Sequence, residues 1–223
     1  MNEVFTLLFA WTPFLLTGFL WNIGVTVIAV VIGTAVGAWL ASVRFSGTAR
    51  QASMSNVLSR FFRNVPTLAF LFFVVVAMPR EFSVYGTGLT IPFPLWLKAA
   101  IGLAPSVIGF TAESLFIARQ NIARNDSDAA LLFVPTWGTS VMISFLASST
   151  ASLVGVSEMI SRSNSIIAAT GTGYLIPLYL YCAAFFVCGC LVWMVLINRF
   201  KESSYVRTMA KRIANPPHSA TPR

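Results

Sequence analysis

Few side chains in this sequence could carry out chemistry on their own. The 223 residues include one His, three Cys and seven Asp+Glu. Cys182, Cys188 and Cys190 crowd into one apolar stretch, which leaves neither zinc spacing nor a disulfide framework to build on. No nucleophile–base pair is present. Gly171 and Gly173 in TGTGY are not followed by the Lys-Ser/Thr of a phosphate loop, so they read as a turn. Function must therefore lie in what the chain passes or docks.

Two carboxylates and a run of hydroxyls are the candidates for that role. Glu113 sits in GFTAESLF inside an apolar segment, where a carboxylate costs several kcal/mol unless paired or wet, and so marks a functional position by default. The plainer reading is a glutamate at a helix end, bonded to Arg119 or to nearby backbone. Ser140, Ser144, Ser148, Ser149, Thr150 and Ser152 give another apolar segment a row of small hydroxyls, and Glu158 closes it. Such residues let helices approach closely, or line a polar pathway. Glu113, Ser148, Ser149, Thr150, Ser152 and Glu158 are the candidate path or coupling residues.

The elements that position them are membrane spans. The chain is 57% hydrophobic and 10% charged, with a mean hydropathy of +0.77. A soluble domain averages about 25% charged. A helix needs about 20 apolar residues to cross the hydrocarbon core. Five segments qualify: Phe19 to Val43, Ser59 to Met78, Phe93 to Ala118, Pro135 to Glu158, and Tyr174 to Asn198. Residues 1–17 are apolar but interrupted by Pro13, lack the basic start of a signal peptide, and are expected to lie along the interface. Gly33 and Gly37 form a GxxxG-type face, and Pro66 and Pro105 are expected to kink their spans.

Charge placement sets the orientation. The formal net charge is +8. Placing the segment after the first span inside gathers Arg44, Arg50, Arg60, Arg63, Arg119, Arg124, Arg199, Lys201, Arg207, Lys211, Arg212 and Arg223 on the cytoplasmic side. Arg80, Lys98 and Arg162 remain on the other. The expected fold is an all-α, five-span bundle, N-outside and C-inside, with residues 18–200 as its membrane domain and 201–223 as a basic, fraying tail at the lipid surface. This striping explains the charge without nucleic acid. Between the third and fourth spans, about residues 119–135, Asp126-Ser127-Asp128 before Ala129-Ala130 reads as a capped helix start. It could serve as a short docking helix or as the entry turn of the fourth span.

Four stretches carry a resemblance. Gly18 to Gly47 has a leading Gly, a mid-span Thr and a closing Arg-x-Ser. Phe61 to Pro79 pairs an Arg with a Thr-Pro-like start and a Leu/Phe-rich span. Gly109 to Ile122 has Ala-Glu-x-x…Arg, and Ser152 to Ile160 reads SLVGVSEMI. In order and spacing the chain resembles the permease subunits of ATP-binding-cassette importers for polar amino acids, of the histidine/glutamine/opine type. The resemblance implies the five-span, type I importer permease fold in a bacterial inner membrane. It implies a non-catalytic subunit that pairs with a sister permease or a second copy of itself. ATPase subunits, holding ATP and Mg, and an extracytoplasmic solute-binding protein would complete the complex. The family's ATPase-docking Glu-Ala-Ala loop maps onto Asp128-Ala129-Ala130, with Val134-Pro135 for its Leu-Pro and with Arg119, Arg124 and Asp126 alongside. Here the loop is about a dozen residues shorter and lacks its glycine. The expected reading is half of an importer's pathway; the alternative is an accessory subunit that kept the fold and lost the coupling.

Overall fold

In the computed structural model, residues 2–83, 90–124 and 126–202 are described. The residues of the expected basic tail beyond 202 lie outside that set. Among the described residues, four helices are long and apolar enough to cross a membrane: α1 (Asn2–Ser46), α4 (Leu95–Ala123), α6 (Phe133–Ala147) with the 3₁₀ segment Ser148–Val154 that prolongs it, and α8 (Leu175–Glu202). Two further pieces, α2 (Ala49–Asn64) and α3 (Thr67–Ala77), meet at a 99° bend and are long and apolar enough to cross only when taken together. Between the major helices lie α5 (Ser127–Ala130) and α7 (Met159–Thr170).

α4 is the axis of the bundle. It runs alongside α1 in the same direction: Ala99, Ala100 and Leu103 pack with Val25 and Ala29, and further along Ala104, Ile108 and Ala112 pack with Leu40. The close approach depends on Gly33 and Gly37. A Cβ on Gly33 would stand 2.5 Å from Val107 Cβ, and one on Gly37 would stand 2.7 Å from Thr111 Cβ, so only glycine fits. On the other flank Leu71 of α3 packs against Gly102. α6 is tied to α1 by the Trp137 indole, which donates to Thr34 Oγ1 at 2.9 Å, and to α8 by Trp193, which donates to Gly138 O at 2.9 Å.

The structure corrects several sequence expectations. Residues 2–17 do not form a separate segment; they are the first turns of α1. Pro13 removes one intrahelical bond, but Leu7, Leu8 and Leu15 pack on α7 and α8, and Thr12 Oγ1 bonds Tyr181 Oη at 2.9 Å, so the helix continues through it. At about 1.5 Å per residue α1 is roughly 67 Å long, more than twice the hydrocarbon thickness. The second span is not a kinked helix from Ser59. Val65, preceding Pro66, is extended (φ −67°, ψ 127°), and the proline caps α3, so the segment breaks outright. Pro105, by contrast, stays inside a continuous α4.

The fourth span ends at Val154 rather than Glu158. Gly155, at φ 91°, turns the chain into α7, a helix outside the five expected spans. The fold is also not purely helical: Glu81–Ser83 and Thr90–Pro92 pair as an antiparallel two-stranded ribbon, Phe82 opposite Ile91.

Candidate functional site

Two polar clusters lie near opposite ends of the bundle. The first is centred on Glu158, which is 1% exposed, as are Asn22 and Ser148. The Asn22 Nδ2 donates to Glu158 Oε2 at 2.9 Å and to Ser148 Oγ at 3.0 Å, while its Oδ1 accepts from the Met159 N–H at 3.2 Å. The same carboxylate caps α7, accepting from the N–H groups of Ser161 (2.9 Å) and Ile160 (3.0 Å). An N-cap carboxylate satisfies otherwise unpaired backbone donors and sits favourably at the positive end of the helix dipole. One buried carboxyl group thus ties α1, the 3₁₀ segment and α7 together.

The hydroxyl run divides between two uses. Ser148 joins the cluster. Ser149 and Thr150 donate to the carbonyls of Leu146 and Ala147 three residues back, at 2.8 and 2.7 Å, and so stabilise the 3₁₀ turns locally. Ser152 does the same toward Ser149 O (2.9 Å).

The second cluster holds Glu113. Its Oε2 pairs with Arg44 Nη1 at 2.7 Å, and the guanidinium lies over the Phe116 ring, 3.9 Å from its centroid. Arg119, the partner considered from the sequence, lies elsewhere: it lines a shallow depression with Phe45, Ile122 and Ala123. The physical reason is register. α1 and α4 run side by side, so the last residues of α1 meet α4 near Glu113. From Asn22 to Arg44 is about 33 Å along α1. Glu113 and Glu158 therefore do not share a site.

Around Glu113 the structure gathers part of the expected docking loop. A 250 Å³ cavity is lined by Arg63, Glu113, Asn121, Ala129 and Thr136, among others. α4 continues through Arg119 to Ala123 and α6 begins at Phe133, so the connection is shorter than the expected 119–135. Arg124 closes α4, its N–H bonded to the carbonyls of Gln120 and Asn121. The Asp126 N–H bonds Asn121 O at 2.9 Å, and its Oδ1 accepts from the Ala129 N–H at 2.9 Å, which is the acid-capped helix start the sequence suggested. Asp128 is exposed, Ala130 is buried, and Pro135 sits in the first turn of α6.

Charge is segregated along the bundle axis. Arg44, Arg50, Arg60, Arg63, Arg119, Arg124, Arg199 and Lys201 belong to the half that holds Glu113. Arg162 lies in the other half, bonded to Phe14 O at 3.0 Å and to Thr17 Oγ1. Lys98 lies there too. It is 2% exposed, and its ammonium donates to Met78 O, the cap carbonyl of α3, at 2.7 Å. A 530 Å³ cavity between α1, α6 and α8 is walled by Phe19, Val27, Phe145, Val192 and similar side chains. It offers no polar group fit to hold a zwitterion. Among the described residues no three His, Cys, Asp or Glu come together as a metal site.

No protein-family model matches this chain, and no curated protein matches it. A solved structure does. The chain superposes on a chain of the crystal structure of an amino acid ABC transporter with histidines, at a TM-score of 0.72 and 17% identity, over 88% of this chain and 97% of the other. The two share a fold. The match spans almost the whole of that transporter chain, so the break at Pro66 and the short connection at 124–132 sit within a common architecture. Sequence reasoning missed Asn22 and Lys98. A lone Asn in FLWNIGV and a Lys in an otherwise apolar LWLKAAIG were the available signals, because a polar side chain at membrane depth needs a partner.

Proposed function

We propose that this chain is a membrane-spanning subunit of an ATP-driven importer for amino acids, in the cytoplasmic membrane of a bacterium, N-outside and C-inside. The observation that carries this reading is the fold shared with the amino acid ABC transporter chain over nearly its full length. Two features support it. The cavity between α1, α6 and α8 is apolar, so a polar solute passing beside those helices needs a path formed with a second subunit, either a sister permease or another copy. And α8 presents Leu180, Val187, Leu191 and Val195 outward, a face available to that neighbour or to lipid.

On this reading the stretch 119–135, with Asp128 exposed beside α4, is the contact for an ATPase that carries ATP and Mg. Arg44–Glu113 then stands between that contact and the spans, and an extracytoplasmic binding protein delivers the amino acid to the Glu158 end. The brevity of α5, four residues, favours a second reading: an accessory subunit with this fold and no ATPase coupling. Purification from native membranes in mild detergent separates them. An ATPase and a second permease held in fixed ratio supports the importer subunit; the chain recovered without an ATPase supports the accessory one.

A further inference from the structure

Apart from Arg63, which borders the Glu113 cavity, the outward residues of α2 play no part in the clusters above. Ser55 Oγ donates to Leu40 O at 2.7 Å, and the backbone at Arg63 packs on Gly109, so α2 crosses α1 and α4 in the arginine-rich half. α3 leaves it at 99° and then climbs beside α4, from Leu71 at Gly102 to Met78 at Lys98. A helix at right angles to a membrane-crossing one lies in the membrane plane.

At about 100° per residue, α2 divides into three arcs of roughly a third each. One faces the protein through Ser55, Ser59 and Phe62. The second is outward and apolar: Met54, Val57, Leu58 and Phe61, at i, i+3, i+4 and i+7, are 69%, 64%, 40% and 53% exposed. The third is basic: Arg60 is outward, and Arg63, one turn on, stands at the edge of the protein-facing arc, its Cβ against Gly109 and its side chain at the mouth of the Glu113 cavity, with Ser53 and Asn64 alongside. α2 contains no Asp or Glu. Neither Arg60 nor Arg63 has a hydrogen-bond or ion-pair partner among the described residues, and Glu113, across the cavity from Arg63, is engaged by Arg44. The inverted pattern, small serines inward and large apolar groups outward, is that of a helix whose outer surroundings are hydrocarbon on one side and anions on the other.

We propose that this face of α2 is a binding site for an anionic phospholipid, with the headgroup phosphate on Arg60 and Arg63 and the acyl chains along Met54, Val57, Leu58 and Phe61. Guanidinium groups hold phosphate through directed, charge-assisted bonds. The inference rests on the chain lying in a membrane, not on its being an importer subunit.

The test is native mass spectrometry of the delipidated full chain in mild detergent, titrated with phosphatidylglycerol or phosphatidylcholine. The chain should hold phosphatidylglycerol about tenfold more tightly. Arg60→Gln/Arg63→Gln should remove most of that preference, Arg60→Lys/Arg63→Lys should keep a good part of it, and Arg80→Gln, on the far side, should leave it intact. Equal binding of the two lipids, or an unchanged preference in the Gln pair, overturns the proposal. So does efficient cross-linking of Phe61→Cys between two copies in the membrane, which would mean protein covers this face.

Discussion

The amide of Asn22 and the carboxylate of Glu158, 136 residues apart in the chain, meet at 2.9 Å with both side chains withdrawn from solvent. Asn22 spends both ends of its amide here, donating to the carboxylate and accepting from the Met159 N–H. Removing it leaves a buried carboxyl group short of a donor and an N–H short of an acceptor. Asn22→Ala should cost about 3 kcal/mol, a fall of roughly 6–12 °C in Tm. Glu158→Gln should cost less, because its amide oxygen still accepts from the first turn of α7. Thermal unfolding in one detergent compares them; equal losses would mean the charge itself, not the cap, is what matters.

Helix approach is tested at glycine. Gly33→Ala forces a Cβ into Val107 and should destabilise by about 1–3 kcal/mol. Gly24, on the same helix, has nothing within 4 Å of a built Cβ, so Gly24→Ala should be neutral or stabilising by up to about 1 kcal/mol. The pair of melting temperatures separates packing from propensity.

Lys98 closes the free end of α3. Lys98→Met keeps the stem and removes the donor to Met78 O, which should cost about 1–3 kcal/mol. The loss should appear as faster amide exchange over Val74 to Met78, since the Met78 N–H bonds Val74 O. Unchanged exchange there would show that α3 is held by its apolar packing alone.

For Arg44 and Glu113, a double-mutant cycle with Gln at each position should give a coupling of about 1 kcal/mol, because both side chains are partly exposed, at 16% and 27%. If the pair belongs to a coupling network, Glu113→Gln should lower uptake severalfold while leaving the amount of inserted protein unchanged. Loss of protein from the membrane instead would assign the pair to structure.

How far the sequence was legible follows from range. The uninterrupted runs of α1 and α8 declare themselves, because hydropathy is a local property. The α1–α4 contact was half legible: Gly33 and Gly37 announced a close approach but not its partner. Pro66 was seen as a kink and proved a break, since the loss of one N–H and the extended Val65 fall together at that point. α7 was missed because its apolar positions are few among SRSNS, although Met159, Ser163 and Ile166 keep a helical spacing. The clusters were the least legible part. Glu113 was singled out for its cost in an apolar setting and Glu158 as the charge that closes the hydroxyl-rich segment, but their partners Arg44 and Asn22 lie 69 and 136 residues away, and only the packing of α1 brings them in.

The central claim is that this fold carries amino acids with energy from a partner ATPase. The direct measurement is uptake of radiolabelled amino acids into proteoliposomes made from the complex purified through this chain, with its binding protein outside and ATP inside. The account predicts accumulation that requires both ATP and the binding protein and is abolished when the chain is omitted. Accumulation that proceeds equally without this chain, or no ATP-dependent uptake from a complex that contains an active ATPase, would contradict it.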